Sequence, residues 1–333
     1  MKIIIENHIP FIQGIFEPIA NVQYLPAEAI DTDAMKDADA LITRTRTRCD
    51  AALLDGSKCK FIATATIGTD HIDLDYCANN GITVASAPGC NAPAVAQYVL
   101  TSISHIFPKL TGKTIGIVGV GHVGTIVARW AECLGMNILL CDPPRAEAEG
   151  YDAFVSLSQI ARQADIITFH TPLTKSGPHK TFHLADEAFF NSLLRKPVII
   201  NSARGPVVDN KLLLNALNTG IISHAIVDCW EGEPDNICLE LVNKAFIATP
   251  HIAGYSLEGK KRATQMAAQA LFDYLSLQFT AQDNSIPTPP DYVTVHSLQS
   301  SYNPLADSAI FKADPSNFEA LRSNYSFRHE PKA

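Results

Sequence analysis

None of the eight cysteines, at positions 49, 59, 77, 90, 133, 141, 229 and 238, forms a C-x-x-C pair. No histidine stands at zinc-site spacing beside them, so the chain is expected to hold no metal and to sit reduced in the cytoplasm. No apolar stretch approaches the roughly 18 residues of a spanning helix, so no membrane is expected. The opening "MKIIIENHIP" has three consecutive apolar residues before Glu6. A secretory segment needs about 7–15. An excess of positive charge is also lacking. Lys and Arg number 26 against 34 Asp and Glu, for a formal net charge of -8, which argues against a nucleic-acid surface. No basic tail and no internal repeat of fixed period is present.

What is present is apolar and alternating. The 333 residues are 47% hydrophobic and 18% charged, a globular composition with length for two domains. Short β-branched runs recur: "KIIIE", "NVQYL", "ALIT", "KFIATA" and "ITVAS", then "TIGIVG", "NILLC", "DIITFH", "PVIIN", "HAIVD" and "FIATP". Continuous apolar runs of this length suit strands buried on both faces, hence parallel sheets covered by helices. Two series predict an α/β protein of two doubly wound units. The apolar positions 263, 266, 267, 270, 271 and 274 follow helical spacing after Ser256. That helix predicts a return to the first unit, with the second inserted. The expected division is 1–92 and 256–280 for the first domain, 93–255 for the second, and 281–333 for a tail. "QDNSIPTPPDY" within that tail reads as a Pro-rich linker.

The second series opens with Gly119-Val-Gly121-His122-Val123-Gly124. G-x-G-x-x-G alone is a weak signal. Between a strand and a helix it is a dinucleotide fingerprint: the first glycine makes the turn, the second admits a pyrophosphate, and the third lets helix and strand pack. The helix N-terminus favours phosphate. Asp142 ends the next strand, where its carboxylate suits a ribose 2′-hydroxyl and repels a 2′-phosphate, so NAD is expected over NADP. Arg145 beside it runs slightly against that choice.

Three further strand ends carry chemistry. "SARGP" brings Arg204, "DCWEGEP" brings Asp228 and Glu233, and "PHIAGY" brings His251. An arginine fork can hold the carboxylate of a 2-hydroxy acid. A histidine can take the hydroxyl proton, and a carboxylate on its far nitrogen can fix its tautomer. The nicotinamide takes the hydride. Any one histidine of eleven is more often structural, and His71 and His170 compete for the role of base. His251 is preferred because it follows the last strand.

The order of these motifs resembles the D-isomer-specific 2-hydroxyacid dehydrogenases. The resemblance runs from residue 1 to about 330, most specifically in "TATIGTDHID", "APGCNAPAVAQYV", "LLCDPPRAE" and "TPHIAGYSLEGK". It implies a Rossmann NAD domain inserted in a flavodoxin-like substrate domain. It also implies Arg204, Glu233 and His251 as the catalytic set, with His251 moving the proton. Asp142, Thr171, Ser202, Ala203, Arg204, Asp228 and Gly254 would line the NAD site. Thr45, Thr66 and Tyr255 would touch substrate. "KSGPHKTFHL" points to a branch acting on a phosphorylated small 2-hydroxy acid, 4-phospho-D-erythronate, oxidised at C2 on the way to pyridoxal phosphate. The tail resembles part of a shortened dimerisation region, and a homodimer is expected.

A substrate with a phosphate gives "RTRTR" a purpose. Arg44 is the first candidate for the phosphate and Arg46 the second, unless strand alternation turns Arg46 away. Arg48 reads as a solvated residue at a helix start. Two alternatives remain open on the residues alone. One is a sister enzyme, such as a 3-phosphoglycerate or D-lactate dehydrogenase. The other is an NAD-sensing, corepressor-like binding protein.

Overall fold

A computed structural model describes residues 1–280 and 288–332. Most of the expected Pro-rich linker lies outside the described residues. The chain divides into two compact units: Met1–Asn91 with Leu257–Thr288, and Ala92–Ser256 with Pro289–Ala333.

The first unit is a five-stranded parallel sheet. Its strands are β1 (Lys2–Glu6), β2 (Asn21–Leu25), β3 (Ala40–Thr43), β4 (Phe61–Thr64) and β5 (Thr83–Ala85), in the order β2-β1-β3-β4-β5. The apolar runs are continuous because both faces are covered. Ile3, Ile5, Ile42, Phe61 and Ala63 enter one core. Ile4, Leu41 and Ile62, one step out of phase, enter the other. The helix Leu257–Tyr274 adds Ala263, Ala267 and Leu271 to the first of these. Full burial of an Ile or Leu stabilises by about 1.5–3 kcal/mol. The order reverses between β1 and β3, and ligands of open sheets bind beyond the carboxyl ends of strands at such a switch point. The "RTRTR" stretch leaves β3 there.

The second unit is a six-stranded parallel sheet. It comprises β6 (Thr114–Val118), β7 (Asn137–Cys141), β8 (Ile166–Phe169), β9 (Val198–Asn201), β10 (His224–Val227) and β11 (Ile247–Ala248), in the order β11-β10-β9-β8-β6-β7. Its switch point lies between β6 and β8, where the glycine loop begins. The helix Ala92–Ser104 is buried at every position, its Gln97, Thr101, Ser102 and Ser104 included. The tail is not separate. Its helices Val295–Ser301, Pro304–Ala313 and Phe318–Ser323 place Leu298, Phe311 and Phe318 in the cores of this unit. Among the described residues no helix is long and apolar enough to cross a membrane.

Candidate active site

The phosphate loop is shaped by three glycines with different jobs. Gly119 has φ +91°, and a Cβ there would lie 2.8 Å from the backbone of His170 and Thr171. A Cβ on Gly124 would lie 2.1 Å from the carbonyl oxygen of Gly119, so helix His122–Cys133 can start only over a bare α-carbon. A Cβ on Gly121 would meet nothing within 4 Å. Packing therefore does not require that glycine; open space over the helix N-terminus remains, flanked by His122 and Val123. Asp142 accepts hydrogen bonds from the N–H of Val120 (2.8 Å) and of Arg145 (3.2 Å), tying the acid to the loop and capping the next helix. The Arg145 guanidinium is committed to Glu149 and to the Val120 carbonyl. It already has anionic company, which weakens its case as a 2′-phosphate ligand.

Two buried hydroxyls nearby, Thr171 Oγ1 and Ser202 Oγ, have no hydrogen-bond partner among the described residues. A buried hydroxyl left unpaired is costly. These two, with the open face of Gly121 and the free acceptor capacity of Asp142, fit a polar cofactor such as NAD. Ala203 is buried and its N–H donates to Asn201 Oδ1 (3.2 Å).

His251 and Glu233 form the centre of the arrangement. His251 Nδ1 lies 2.5 Å from Glu233 Oε1, and both side chains are about one-quarter exposed, at 26% and 24%. The second carboxylate oxygen accepts from the Trp230 N–H at 2.9 Å. Burial works to raise the Glu233 pKa. The His251 ring, the Trp230 N–H and the Arg322 guanidinium outweigh it, and the net shift is downward. With Nδ1 donating to this carboxylate, Nε2 keeps the lone pair that can accept a proton.

His251 is placed by Asp228, which is 1% exposed. The Asp228 carboxylate accepts from Thr249 Oγ1 (2.7 Å) and from the N–H groups of Ile252 (2.8 Å) and Ala253 (3.0 Å). His251 donates its own N–H to the Asp228 carbonyl (2.9 Å) and holds φ +56°. The residue thus sits in a backbone region that costs a non-glycine about 1–3 kcal/mol, pinned on both sides. Desolvation raises the Asp228 pKa against these hydrogen bonds. Arg204 follows β9 on a turn fixed by Asn201, whose amide donates to the carbonyls of Arg204 (3.1 Å) and Gly205 (3.2 Å). A Cβ on Gly205 would fall 2.0 Å from the Trp230 carbonyl oxygen, so only glycine lets this turn lie against the loop carrying Glu233.

The competing histidines are placed elsewhere. His170 is half-buried against Thr168 Oγ1 (2.9 Å), and desolvation pushes its pKa down to about 3. It stays neutral across the physiological range and is unsuited to proton exchange there. His71 belongs to the first unit, and burial likewise lowers its pKa.

In the first unit, the carboxylate of Glu6 ends β1 fully buried and accepts from the Arg44 N–H (2.9 Å) and Thr43 Oγ1 (3.3 Å). Arg44 Nη1 donates to the His8 carbonyl (3.0 Å), and Thr45 and Arg46 are exposed. Arg48 pairs with Asp50 at 2.6 Å on the surface, in line with its reading as a solvated helix-start residue. Thr66 Oγ1 shares a hydrogen bond with Thr64 Oγ1 (2.7 Å).

Sequence reasoning passed over Glu6, Asn201, Arg322 and Arg328. Glu6 follows three isoleucines, and nothing in that run marks its burial. Arg322 and Arg328 lie some seventy residues beyond the loop they brace. The only signal in the sequence is their setting among aromatics in "LRSNYSFR". Among the described residues, no group of three or more His, Cys, Asp or Glu side chains is arranged to hold a metal.

The chain belongs to the D-isomer-specific 2-hydroxyacid dehydrogenases, NAD-dependent oxidoreductases. The family's model "D-isomer specific 2-hydroxyacid dehydrogenase, NAD binding domain" matches residues 98–253. Within that family the chain is 49% identical over 345 residues to the erythronate-4-phosphate dehydrogenase of Bacteroides thetaiotaomicron, covering 100% of this chain and 98% of that one. It is 48% identical over 343 residues to the enzyme of that name from Bacteroides fragilis, covering 99% and 97%. Among solved structures, the TT0316 protein from Thermus thermophilus superposes with a TM-score of 0.70 at 26% identity, over 84% of this chain and 98% of that one.

Proposed function

We propose that this chain oxidises 4-phospho-D-erythronate at C2 to 2-oxo-3-hydroxy-4-phosphobutanoate, in the pathway to pyridoxal phosphate. The observation that carries the chemistry is the short His251–Glu233 contact at the end of a dinucleotide-type sheet. The full-length likeness to two erythronate-4-phosphate dehydrogenases carries the substrate.

In this reading Arg204 holds the substrate carboxylate in a two-pronged grip. His251 Nε2 accepts the C2 hydroxyl proton, and Glu233 stabilises the imidazolium that results. NAD, when bound, supplies the hydride acceptor. Gly119, Gly121, His122, Val123 and Gly124 cradle its pyrophosphate. Asp142 receives the ribose, and Thr171, Ser202, Ala203, Arg204, Asp228 and Gly254 line the remainder. Arg44 and Arg46 take the phosphate, and Thr45, Thr66 and Tyr255 contact the substrate. The residues up to Asn91, with the helix from Leu257, form the substrate domain. The working form is a homodimer in the cytoplasm. Leu305 and Ile310, exposed on one tail helix, leave apolar surface to be covered.

The deciding experiment is NADH formation by the purified protein on 4-phospho-D-erythronate, with 3-phosphoglycerate and D-lactate alongside. Turnover strongest on the first is expected. Preference for either of the others overturns the substrate, and no turnover of any hydroxy acid overturns the function.

A further inference from the structure

The segment "KSGPHKTFHL" carries His183 at its penultimate position. This histidine holds φ +49°, a backbone region that costs a non-glycine about 1–3 kcal/mol. Its N–H donates to the Pro206 carbonyl (2.7 Å), just beyond Arg204. The pairing continues along the chain. The Ala185 N–H donates to the Val207 carbonyl (3.1 Å), and the Asp209 N–H donates to the Ala185 carbonyl (3.3 Å). The main chain of His183 thus fixes the far side of the Arg204 turn.

The side chain reaches the other loop. His183 Nε2 lies 2.6 Å from Glu231 Oε1, and Nδ1 lies 3.4 Å from Asp209 Oδ2. The ring stacks on Phe182 at a centroid distance of 4.1 Å. The second oxygen of Glu231 accepts from the Asn210 N–H (2.9 Å), at the start of helix Asn210–Asn218. Glu231 directly follows Trp230, whose N–H is bonded to Glu233. Its amide nitrogen would lie 2.6 Å from a Cβ on Gly205, so the two loops touch at this point. His183 and Glu231 are both half-buried, and a short hydrogen bond to a carboxylate is stronger than a neutral one. One residue therefore spans the turn that carries Arg204 and the loop that carries Glu233.

We propose that His183 is a positioning residue of the active site, whose imidazole clasps Glu231 and so fixes the Glu233 loop against the Arg204 turn. This role rests on the functional reading above, in which Arg204 grips the substrate carboxylate and Glu233 steadies His251. Groups that act together on one carbon need a fixed separation, because a misplacement of about 1 Å can cost about a hundredfold in rate. The clasp fixes that separation without touching substrate. It gives this stretch of the chain a task in the reaction.

The test uses the full chain and four variants: His183→Asn, His183→Gln, Glu231→Ala and the double His183→Asn/Glu231→Ala. Turnover of 4-phospho-D-erythronate is expressed per NADH-binding site, counted by fluorescence titration, so that loss of folded protein does not register. Asparagine suits a positive φ but is too short to reach Glu231. Glutamine suits that backbone less well, yet its amide can donate from close to the place of Nε2. His183→Asn is expected to lower kcat/KM about tenfold, and His183→Gln should recover most of that loss. In the Glu231→Ala background the His183→Asn change should add less than about twofold. A histidine that serves only the backbone gives the opposite order, with asparagine the better replacement. That order, equal activity of the two replacements, or equal losses in both backgrounds overturns the role. Should either His183 variant fail to fold, Glu231→Ala alone decides: wild-type kcat/KM there overturns the role. Wild-type protein that turns over no hydroxy acid overturns the functional reading first, and this role with it.

Discussion

At the scale of single residues, the site depends on which atom of each side chain is already occupied. Glu233 uses one oxygen on His251 and the other on the Trp230 N–H, so it orients the ring. Its lowered pKa makes a stability claim with a definite sign. A carboxylate whose folded pKa is depressed contributes fully above its ordinary value of 4.5 and loses that contribution as pH falls through the folded value. Glu233→Gln is therefore expected to flatten the acid side of the stability profile, with the difference from wild type largest above pH 4.5 and vanishing below the folded pKa. Melting temperature measured from pH 3 to 7 on both proteins checks this, and a constant offset would contradict it. Arg204 depends on geometry as well as charge. Lysine in its place keeps the charge and loses the fork. Arg204→Lys should lower kcat/KM by about 10- to 100-fold, and wild-type kinetics in that variant would remove the carboxylate grip.

At the scale of elements, the three glycines of the phosphate loop separate packing from ligand binding. Gly124 is pressed against the Gly119 carbonyl, whereas Gly121 faces open space. Gly124→Ala should destabilise the fold by about 1–3 kcal/mol. Gly121→Ala should leave stability within about 0.5 kcal/mol yet lose most NADH affinity, because its methyl occupies the place assigned to the pyrophosphate. Thermal melts and NADH fluorescence titrations on the two variants make the comparison; tight NADH binding by Gly121→Ala would move the cofactor elsewhere. The strands were legible in the sequence for the same steric reasons. "KIIIE" is β1 and "NILLC" is β7, residue for residue, since a strand covered on both faces shows no polar interruption. His251 and Arg204 were legible because they directly follow such runs. Arg328 was not, because its long-range acceptors are backbone or amide oxygens of segments more than seventy residues earlier, and backbone acceptors leave no trace in side-chain pattern. Glu6 was missed for a related reason. Its burial is set by the Arg44 N–H across the switch point, and that neighbour is fixed only by the parallel register.

At the scale of the whole molecule, the acidic chain concentrates its specialised groups on two separate units. The glycine loop, Arg204, Glu233 and His251 all belong to the second, and the "RTRTR" turn belongs to the first. A formal charge of -8 repels an anionic substrate at long range, so local cations must supply the attraction. Arg44 is anchored through its N–H to Glu6 and through its guanidinium to the His8 carbonyl, and it leaves β3 at the sheet's switch point. This assignment of roles makes a divided outcome testable. Arg44→Ala should weaken kcat/KM for the phosphorylated hydroxy acid about tenfold more than for an unphosphorylated analogue. NADH affinity should stay within about twofold of wild type, because every residue assigned to the cofactor belongs to the second unit. Measuring both constants on the same preparation separates the roles. Equal losses on the two substrates would detach Arg44 from the phosphate, and a fall in NADH affinity would show that the first unit takes part in holding the cofactor.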